Sequence, residues 1–502
     1  MDAAEVPPSE GNEARRKGRL EVGAVHSTEE AGEPTRRDSV EGRGGRVTGP
    51  LGGKMTEPLN SGDISTRLQR VAELSRARPE RVFMSLSHMI DLEWLREAYR
   101  LTRKDAAAGV DGQSAGAYGE KLEENLQSLL GRLHTGMYKA PPVRRVYIPK
   151  ADGKAMRPLG VPTFEDKVLQ RAVAMVLEAI YEQDFLPCSY GFRPGRSAHH
   201  ALEAVWQGTM SMNGGWVLDV DIQKFFDELD HKQLRSFLDR RVKDGVIRRV
   251  VHKWLHAGVM EAGAVHFPEA GTPQGGVISP LLANVYLHEV LDVWFQREIQ
   301  PRLQGRSLLV RYADDFVMVF EREDDARRVL DVLPKRFGRF GLQLHPEKTR
   351  LVRFGRPDDR IDRTGPPPAR PETFDFLGFT HHWARSRSGR LVVKQQTARS
   401  RLSRALKKVK AFCQLNRHLP VADQHARLSS ILRGHYGYYG VTGNGASLVH
   451  FHHAVRGLWR KWLDRRSQRA RMSWDRYYRL LVRYPLPPAR VVHSVYRLSA
   501  SP

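Results

Sequence analysis

The stretch LLVRYADDFVMVF, residues 308–320, decides the fold of this chain. Apolar and aromatic residues fill it almost without interruption on both sides of Ala313, Asp314 and Asp315. Short flanks rich in Val, Leu and Phe around two turn-forming aspartates predict two strands joined by a tight turn. Neither flank alternates with polar residues as a surface hairpin does, so we expect both strands to be buried on both faces.

Two adjacent carboxylates in a buried hairpin indicate a bound cation. Like charges repel unless a cation neutralises them, and hard carboxylate oxygens suit Mg²⁺. The alternative is an ordinary hairpin whose two aspartates lie in solvent at its tip. A third carboxylate is needed to choose between the two interpretations.

A third carboxylate lies about ninety residues upstream, in WVLDVDIQKFFD, residues 216–227. At the strand period of two, Asp219 and Asp221 share one face, and Leu218, Val220 and Ile222 share the other. This pattern predicts a strand that delivers a carboxylate to a site. The alternative is an edge strand with a solvated acidic face.

Together the two segments resemble the palm of a reverse transcriptase, whose Tyr-x-Asp-Asp signature corresponds to residues 312–315. The resemblance implies that Asp221, Asp314 and Asp315 are catalytic and hold two Mg²⁺ ions, with Ile222 as a further metal position. Two metals about 3.5–4 Å apart activate the attacking 3′-hydroxyl and stabilise the leaving pyrophosphate. The implied fold is α+β, a right-hand polymerase with fingers, an antiparallel palm sheet and an α-helical thumb.

The net charge is concentrated near the C-terminus. Residues 383–502 hold 25 Lys and Arg against three Asp, a net charge of +22 out of +24 for the whole chain. Such a one-sided surface predicts a polyanionic partner, most simply nucleic acid. The two cysteines, Cys188 and Cys413, form no CxxC pair, which excludes a cysteine zinc site and a disulfide framework.

Composition divides the chain into three parts. Residues 1–60 have the composition of a disordered tail, and Met55 is a second candidate start of translation. Residues 61–382 are predicted to form the fingers and palm, and residues 383–502 a basic α-helical thumb. No run approaches a membrane helix and no signal-peptide core is present, so we expect a cytoplasmic protein without a membrane partner.

The segment PPVRRVYIPKADGKAMRPLGVPT, residues 141–163, predicts two strands around an Ala-Asp-Gly turn. It is either a basic surface hairpin or a fingers hairpin that closes cations over a triphosphate. It resembles the first reverse-transcriptase block of bacterial group II intron proteins. We therefore take Lys150 and Arg157 as candidates for binding the triphosphate.

Further blocks of the same family follow in order. The segment SYGFRPGRSAHHAL, residues 189–202, resembles the second block, in which Arg193 would face template or nucleotide. GTPQGGVISPLLANVYLHEVLD, residues 271–292, resembles the fourth, which places Gln274 along the template–nucleotide pair. Lys348 matches a lysine proposed to protonate pyrophosphate, although it is nearly as well explained as a surface lysine. FDFLGF, residues 374–379, resembles a turn that supports the primer.

The position of the aromatic residues after Asp221 predicts the choice of sugar. Phe225 or Phe226 should lie under the sugar of the incoming nucleotide and leave no room for a 2′-hydroxyl. The expected substrates are therefore deoxynucleoside triphosphates (dNTPs).

The C-terminal part is helical in pattern from residue 395 and rich in aromatic residues. RGHYGYYG, residues 433–440, and the segment 465–490 resemble the thumb and maturase region (domain X) of group II intron proteins. The candidates for RNA contact are the cations Arg404, Lys407, Lys408, Lys410 and Arg433. The resemblance covers roughly residues 60–498. Paired cysteines of an HNH endonuclease are absent from the sequence, so we expect the primer to come from elsewhere, such as a nascent strand at a replication fork.

The sequence thus predicts a bacterial RNA-directed DNA polymerase that copies group II intron RNA, contacts a DNA target or primer and assists splicing. One alternative is a maturase that only binds RNA; three intact aspartates argue against it. Another is a related enzyme recruited to phage defence or CRISPR spacer capture, which the protein sequence does not separate from the first. The sequence does not predict the oligomeric state.

Overall fold

Residues 307–320 form a hairpin within an antiparallel palm sheet in the computed structural model of the protein. The structure describes residues 63–149, 156–261, 264–267, 271, 275–357, 371–386, 388–467 and 471–494. The predicted disordered tail, Lys150 and Gln274 lie outside these residues.

The described strands are, in chain order, β1 Val143–Pro149, β2 Met156–Val161, β3 Trp216–Gln223, β4 Val259–Glu261, β5 Ala264–His266, β6 Ser307–Tyr312, β7 Asp315–Phe320, β8 Gln343–Leu344, β9 Arg350–Arg353, β10 Phe374–Phe376, β11 Phe379–Arg385 and β12 Leu391–Thr397.

The described α-helices are α1 Ile64–Ala77, α2 Leu92–Leu101, α3 Ala115–Glu120, α4 Leu122–His134, α5 Phe164–Asp184, α6 Ala198–Ser211, α7 Phe225–Glu228, α8 His231–Asp239, α9 Gly245–Leu255, α10 Ser279–Leu287, α11 Glu323–Gly338, α12 Arg399–Leu415, α13 Val421–Tyr439, α14 Gly445–Leu463 and α15 Trp474–Arg483. Short 3₁₀ or π-helical segments cover Ser87–Met89, His288–Asp292, Phe295–Ile299 and Gln300–Arg302.

The palm sheet has the strand order β6-β7-β3-β8, and β9 also pairs with β3. Strand β3 therefore lies inside the sheet, so its interpretation as an edge strand is wrong. In β6–β7, Tyr312 pairs with Asp315, which leaves Ala313 and Asp314 as a two-residue turn. Ala313 has a φ of 58°, because the first central residue of such tight turns often needs a positive φ.

The hairpin is buried on both faces, as the sequence predicts. On one face, Phe316, Met318 and Phe320 join a core built with α5, α10 and α11. On the other face, Val317 and Val319 pack with α6 and the sheet β10-β11-β12. The central palm strands thus read as apolar runs because both sides are covered.

Two smaller sheets flank the palm. The fingers sheet has the order β2-β1-β4-β5, and β1 and β2 form the hairpin predicted from the basic segment. The three-stranded sheet β10-β11-β12 leads into helices α12 to α15, which enclose a third core around Trp459. The predicted boundary at residue 382 falls inside β11. The helices of the C-terminal region begin later, with α12 at Arg399.

The described residues belong to one compact unit. Within the part of the chain that the structure describes, no helix is long and apolar enough to cross a bilayer.

Candidate active site

Asp221 and Asp315 stand directly opposite each other on the neighbouring antiparallel strands β3 and β7. Cβ atoms of residues paired in this way are about 4.5–5.5 Å apart, so both carboxylates point to the same side of the sheet. Asp314 lies in the turn, immediately before Asp315. This face of the sheet is covered by α6 at its other end, whereas the aspartates lie at the uncovered end.

Desolvation and repulsion between carboxylates raise the pKa values of Asp314 and Asp315. The pKa of Asp315 is raised to about 7 by desolvation and by repulsion from the charges of Asp219, Asp314 and Asp221. Burial likewise raises the pKa of Asp314, and the positive charge of Arg157 opposes this rise. The positive charges near these carboxylates therefore do not fully neutralise them, and this excess of negative charge favours binding of a cation.

Two cations at the start of β9 face the carboxylates of β3: Lys348 lies just before the strand, and Arg350 is its first residue. Lys348 Nζ lies 2.8 Å from Asp221 Oδ2, and Arg350 Nη2 lies 3.3 Å from Asp219 Oδ2. Desolvation still raises the pKa of Asp219 to about 6, although Arg350 opposes the shift. The sequence placed Asp219 on the same strand face as Asp221 but did not propose it as a site residue, and Arg350 was not singled out.

The carboxylates suit a divalent cation in chemistry, because Mg²⁺ prefers hard oxygen ligands. Among the described residues, however, no group of three His, Cys, Asp or Glu side chains is already arranged to hold a metal ion. Lys348 neutralises Asp221 instead, so an ion must displace or share that contact. The side chain of Ile222 is buried in the core, so only its backbone carbonyl group could take part in the predicted metal site.

The fingers hairpin lies close enough to the aspartates to act on them. Arg157 is exposed on β2, where it pairs with Ile148, and its charge opposes the rise in the pKa of Asp314. Gly275, in the loop before α10, approaches the same strand so closely that a Cβ atom would lie 2.5 Å from the carbonyl oxygen of Gly160. The structure thus brings β2, this loop and the aspartates together.

The two phenylalanines after β3 have different surroundings. Phe225 is buried in the core beside Tyr286, with ring centroids 6.3 Å apart. Phe226 is only half-buried, and its ring makes a T-shaped contact with the Phe225 ring at a centroid distance of 5.2 Å. Of the two, only Phe226 is partly exposed, so it becomes the candidate for contact with the sugar.

Arg193 does not face nucleic acid, which corrects the sequence-based expectation. Its side chain is buried, and Nη2 lies 2.9 Å from Glu182 Oε2. Nη1 donates to the carbonyl oxygens of Leu186 and Ser189. The guanidinium therefore holds a loop of the protein, and the sequence alone does not distinguish a buried arginine from an exposed one.

The thumb presents its cations outward. Val409 and Cys413 anchor α12 in the core, whereas Lys407, Lys408 and Lys410 are exposed. Arg433 is exposed on α13, and Arg404 is half-buried.

The structure also sorts the thumb aromatics. Trp459 and Tyr477 are buried in the core, whereas Trp474 and Tyr478 are exposed on α15. Arg460 lies over the Trp474 ring at 4.1 Å from its centroid, so these exposed rings form part of a cationic surface.

The turn that follows β10 joins the palm to the thumb. Leu377 and Gly378 both have positive φ, and the carbonyl oxygen of Leu377 accepts a hydrogen bond from Tyr438 Oη at 2.9 Å. Ala398 N donates to the carbonyl oxygen of Gly378 at 3.0 Å, and the charge of Arg401 opposes the rise in the pKa of Asp315. The start of α12 thus lies near the aspartates.

Comparison with known proteins agrees with this palm. Residues 148–381 match the family described as reverse transcriptase (RNA-dependent DNA polymerase). Protein YkfC of Escherichia coli K12 is 35% identical over 330 residues, which cover 57% of this chain and 84% of YkfC. Group II intron-encoded protein LtrA of Lactococcus lactis is 34% identical over 284 residues, 54% of this chain and 46% of LtrA. A putative COX1/OXI3 intron 1 protein of Saccharomyces cerevisiae is 36% identical over 184 residues, 36% of this chain and 21% of that protein.

An antiparallel palm with paired aspartates at one end of its sheet defines a nucleotide polymerase. The chain belongs to the reverse transcriptase family, and its relatives include group II intron-encoded members. The family and the α+β polymerase fold predicted from sequence are therefore confirmed. The match spans most of YkfC but about half of LtrA.

Proposed function

We propose that this protein is an RNA-directed DNA polymerase that copies group II intron RNA with two Mg²⁺ ions. The observation that carries the proposal is the register that sets Asp221 opposite Asp315, with Asp314 in the adjoining turn. These three aspartates would hold the ions. When bound, the ions supply activation of the primer 3′-hydroxyl and stabilisation of the leaving pyrophosphate.

The residues around the aspartates position the substrates. Arg157, exposed on the fingers hairpin and electrostatically coupled to Asp314, binds the triphosphate of the incoming dNTP. Lys150 and Gln274 remain sequence-based proposals for the same step. Lys348 exchanges its contact with Asp221 for the triphosphate, where its ammonium group stabilises negative charge. The ring of Phe226 blocks the space of a 2′-hydroxyl.

The thumb is proposed to bind the intron RNA and to assist its splicing. Support comes from the exposed cations of α12 and from the arginine-backed aromatic rings of α15. Phosphate contacts supply affinity and exposed rings stack on unpaired bases. We place the protein in the bacterial cytoplasm, associated with nucleic acid.

Two other functions lead to different results. A maturase that only binds RNA would show RNA binding without DNA synthesis. An enzyme recruited to phage defence or CRISPR spacer capture would polymerise DNA, but its gene would lie outside a group II intron. Intron domains V and VI in the flanking DNA therefore separate this function from the proposed one.

The test is primer extension by the purified chain on an RNA template with a DNA primer, dNTPs and Mg²⁺. We expect cDNA that requires all four components and disappears when the metal is chelated. Tight RNA binding without any cDNA would instead support the RNA-binding maturase.

A further inference from the structure

We propose that a buried ion pair, Arg311 with Asp292, positions the catalytic turn of residues 312–315. The proposal rests on the proposed polymerase function, because it concerns where Asp314 and Asp315 are held. Arg311 and Asp292 would be positioning residues, since neither is one of the proposed metal ligands Asp221, Asp314 and Asp315.

The pair is completely enclosed. Arg311 Nε lies 2.8 Å from Asp292 Oδ1, and Arg311 Nη2 lies 2.6 Å from Asp292 Oδ2, so the contact is bidentate. Neither side chain has any exposed surface. An arginine in the middle of the apolar strand β6 is the sequence signal for this feature.

The guanidinium also reaches the catalytic turn itself. Nη1 donates to the carbonyl oxygen of Ala313 at 3.1 Å, one residue before Asp314. The remaining donors bind Asn284 Oδ1 at 2.9 Å and Ser189 Oγ at 2.8 Å. All five N–H groups of Arg311 are thus used, and lysine, which has three donors in another geometry, cannot reproduce the set.

Three separate segments converge on the turn through this arginine. Asn284, on α10, also donates from Nδ2 to the carbonyl oxygen of Gly191 at 2.7 Å. Asp292 ends a π-helical segment that follows α10, and such segments occur often at functional sites. Gly191 lies so close to the turn that a Cβ atom would be 2.4 Å from Ala313 N.

Stability alone is a weak reason for such a pair. Replacing a buried ion pair with well-packed apolar residues is often neutral or stabilising, because desolvation of two charges offsets their attraction. Here the pair fixes a carbonyl group in a turn where Ala313 already has a positive φ. What it adds beyond packing is therefore a fixed position for the adjacent carboxylates.

The test uses the full chain with Asp292→Asn, which removes the charge and one acceptor of the bidentate contact. We expect kcat for primer extension to fall by about 10²-fold with little change in KM for dNTP, because a displacement of about 1 Å has this effect. We also expect Mn²⁺ affinity, measured by electron paramagnetic resonance without substrate, to fall by at least about tenfold.

Asp184→Asn is the matched control. It breaks another largely buried pair, in which Arg241 Nε lies 2.8 Å from Asp184 Oδ2, but it makes no contact with the catalytic turn. We expect it to lower Tm while leaving kcat and Mn²⁺ affinity unchanged. If Asp292→Asn behaves in the same way, the positioning role is wrong.

Gly191→Ala supplies a second test, available even if Asp292→Asn does not fold: it displaces the turn directly, leaves the ion pair intact and shows whether the position of the turn controls metal binding. Its methyl group meets the turn backbone, so Mn²⁺ affinity and kcat should both fall. Gly131→Ala, where a Cβ meets no atom within 4 Å, should change neither. Unchanged Mn²⁺ affinity in Gly191→Ala contradicts the proposal. If the wild-type chain makes no cDNA, the proposed function fails, while the Mn²⁺ measurements still decide the positioning role.

Discussion

Asp221 on β3 and Asp315 on β7 form a directly opposed cross-strand pair, although 93 residues separate them in sequence. Opposed like charges destabilise a sheet unless something neutralises them. Lys348 contacts Asp221, whereas Asp315 retains a pKa raised to about 7. The palm therefore keeps a concentration of negative charge that a divalent cation would relieve.

The contact between Lys348 and Asp221 leads to the first prediction. Lys348→Met should lower the Mg²⁺ concentration needed for half-maximal primer extension, because the ammonium group no longer competes with the ion for Asp221. At saturating Mg²⁺ the same variant should have a lower kcat, since a cation near the triphosphate is lost. Lys335→Met, an exposed lysine of α11, is the control and should change neither quantity. A surface role for Lys348 would leave both quantities at their wild-type values.

The second prediction concerns the choice between dNTPs and ribonucleotides. Phe226→Ala should raise the incorporation of ribonucleotides relative to dNTPs, because it opens the space that a 2′-hydroxyl needs. Single-nucleotide incorporation with dNTP and its ribonucleotide counterpart measures the ratio. Phe225→Ala is the control: its ring is buried, so we expect a loss of stability of about 3–5 kcal/mol without a change in that ratio. An unchanged ratio in Phe226→Ala would place the sugar gate elsewhere.

The third prediction concerns RNA binding by α12. Replacing Arg404, Lys407, Lys408 and Lys410 with Ala should weaken RNA binding and make its salt dependence shallower. For single strands, each phosphate contact contributes about −0.7 to the slope of log K against log salt concentration. Filter binding at several salt concentrations measures the slope. Splicing at low Mg²⁺ should suffer more than extension of a pre-annealed primer at saturating substrate.

The control for this experiment removes the same number of cations from the palm. Ala replacements of Arg327, Arg328, Lys335 and Arg339, all exposed, change the net charge equally but lie on or next to α11. Their slope should match the wild type. An unchanged slope together with unchanged splicing in the α12 variant would mean that its cations form only a solvated face.

Local patterns predicted the elements that carry the aspartates. The apolar flanks of residues 308–320 predicted β6 and β7, and the alternation of residues 216–222 predicted β3. Such predictions are possible because successive side chains of a strand point to opposite faces, so the sequence of the strand itself shows which faces are buried. These features depend on neighbours in sequence, which is why they could be predicted.

The partners of charged side chains could not be predicted in the same way. Arg193 was expected at nucleic acid but is paired with Glu182, and Arg311 was overlooked although it contacts Asp292. Both contacts depend on how distant segments pack, which a local pattern does not record. The predicted domain boundary at residue 382 was placed where the density of positive charge changes. Strand β11 continues through this position because it pairs with β12, and charge density does not reveal that pairing.

The most direct test of the account is primer extension by Asp314→Asn, run beside RNA binding of the same protein. Neutralising this carboxylate leaves an incomplete metal site, and positioned metals supply most of the stabilisation in phosphoryl transfer. We predict that Mg²⁺-dependent cDNA synthesis is abolished while RNA affinity stays close to wild type. Extension within about tenfold of the wild-type rate would contradict the assignment of Asp314 as a metal ligand, and with it the proposed mechanism.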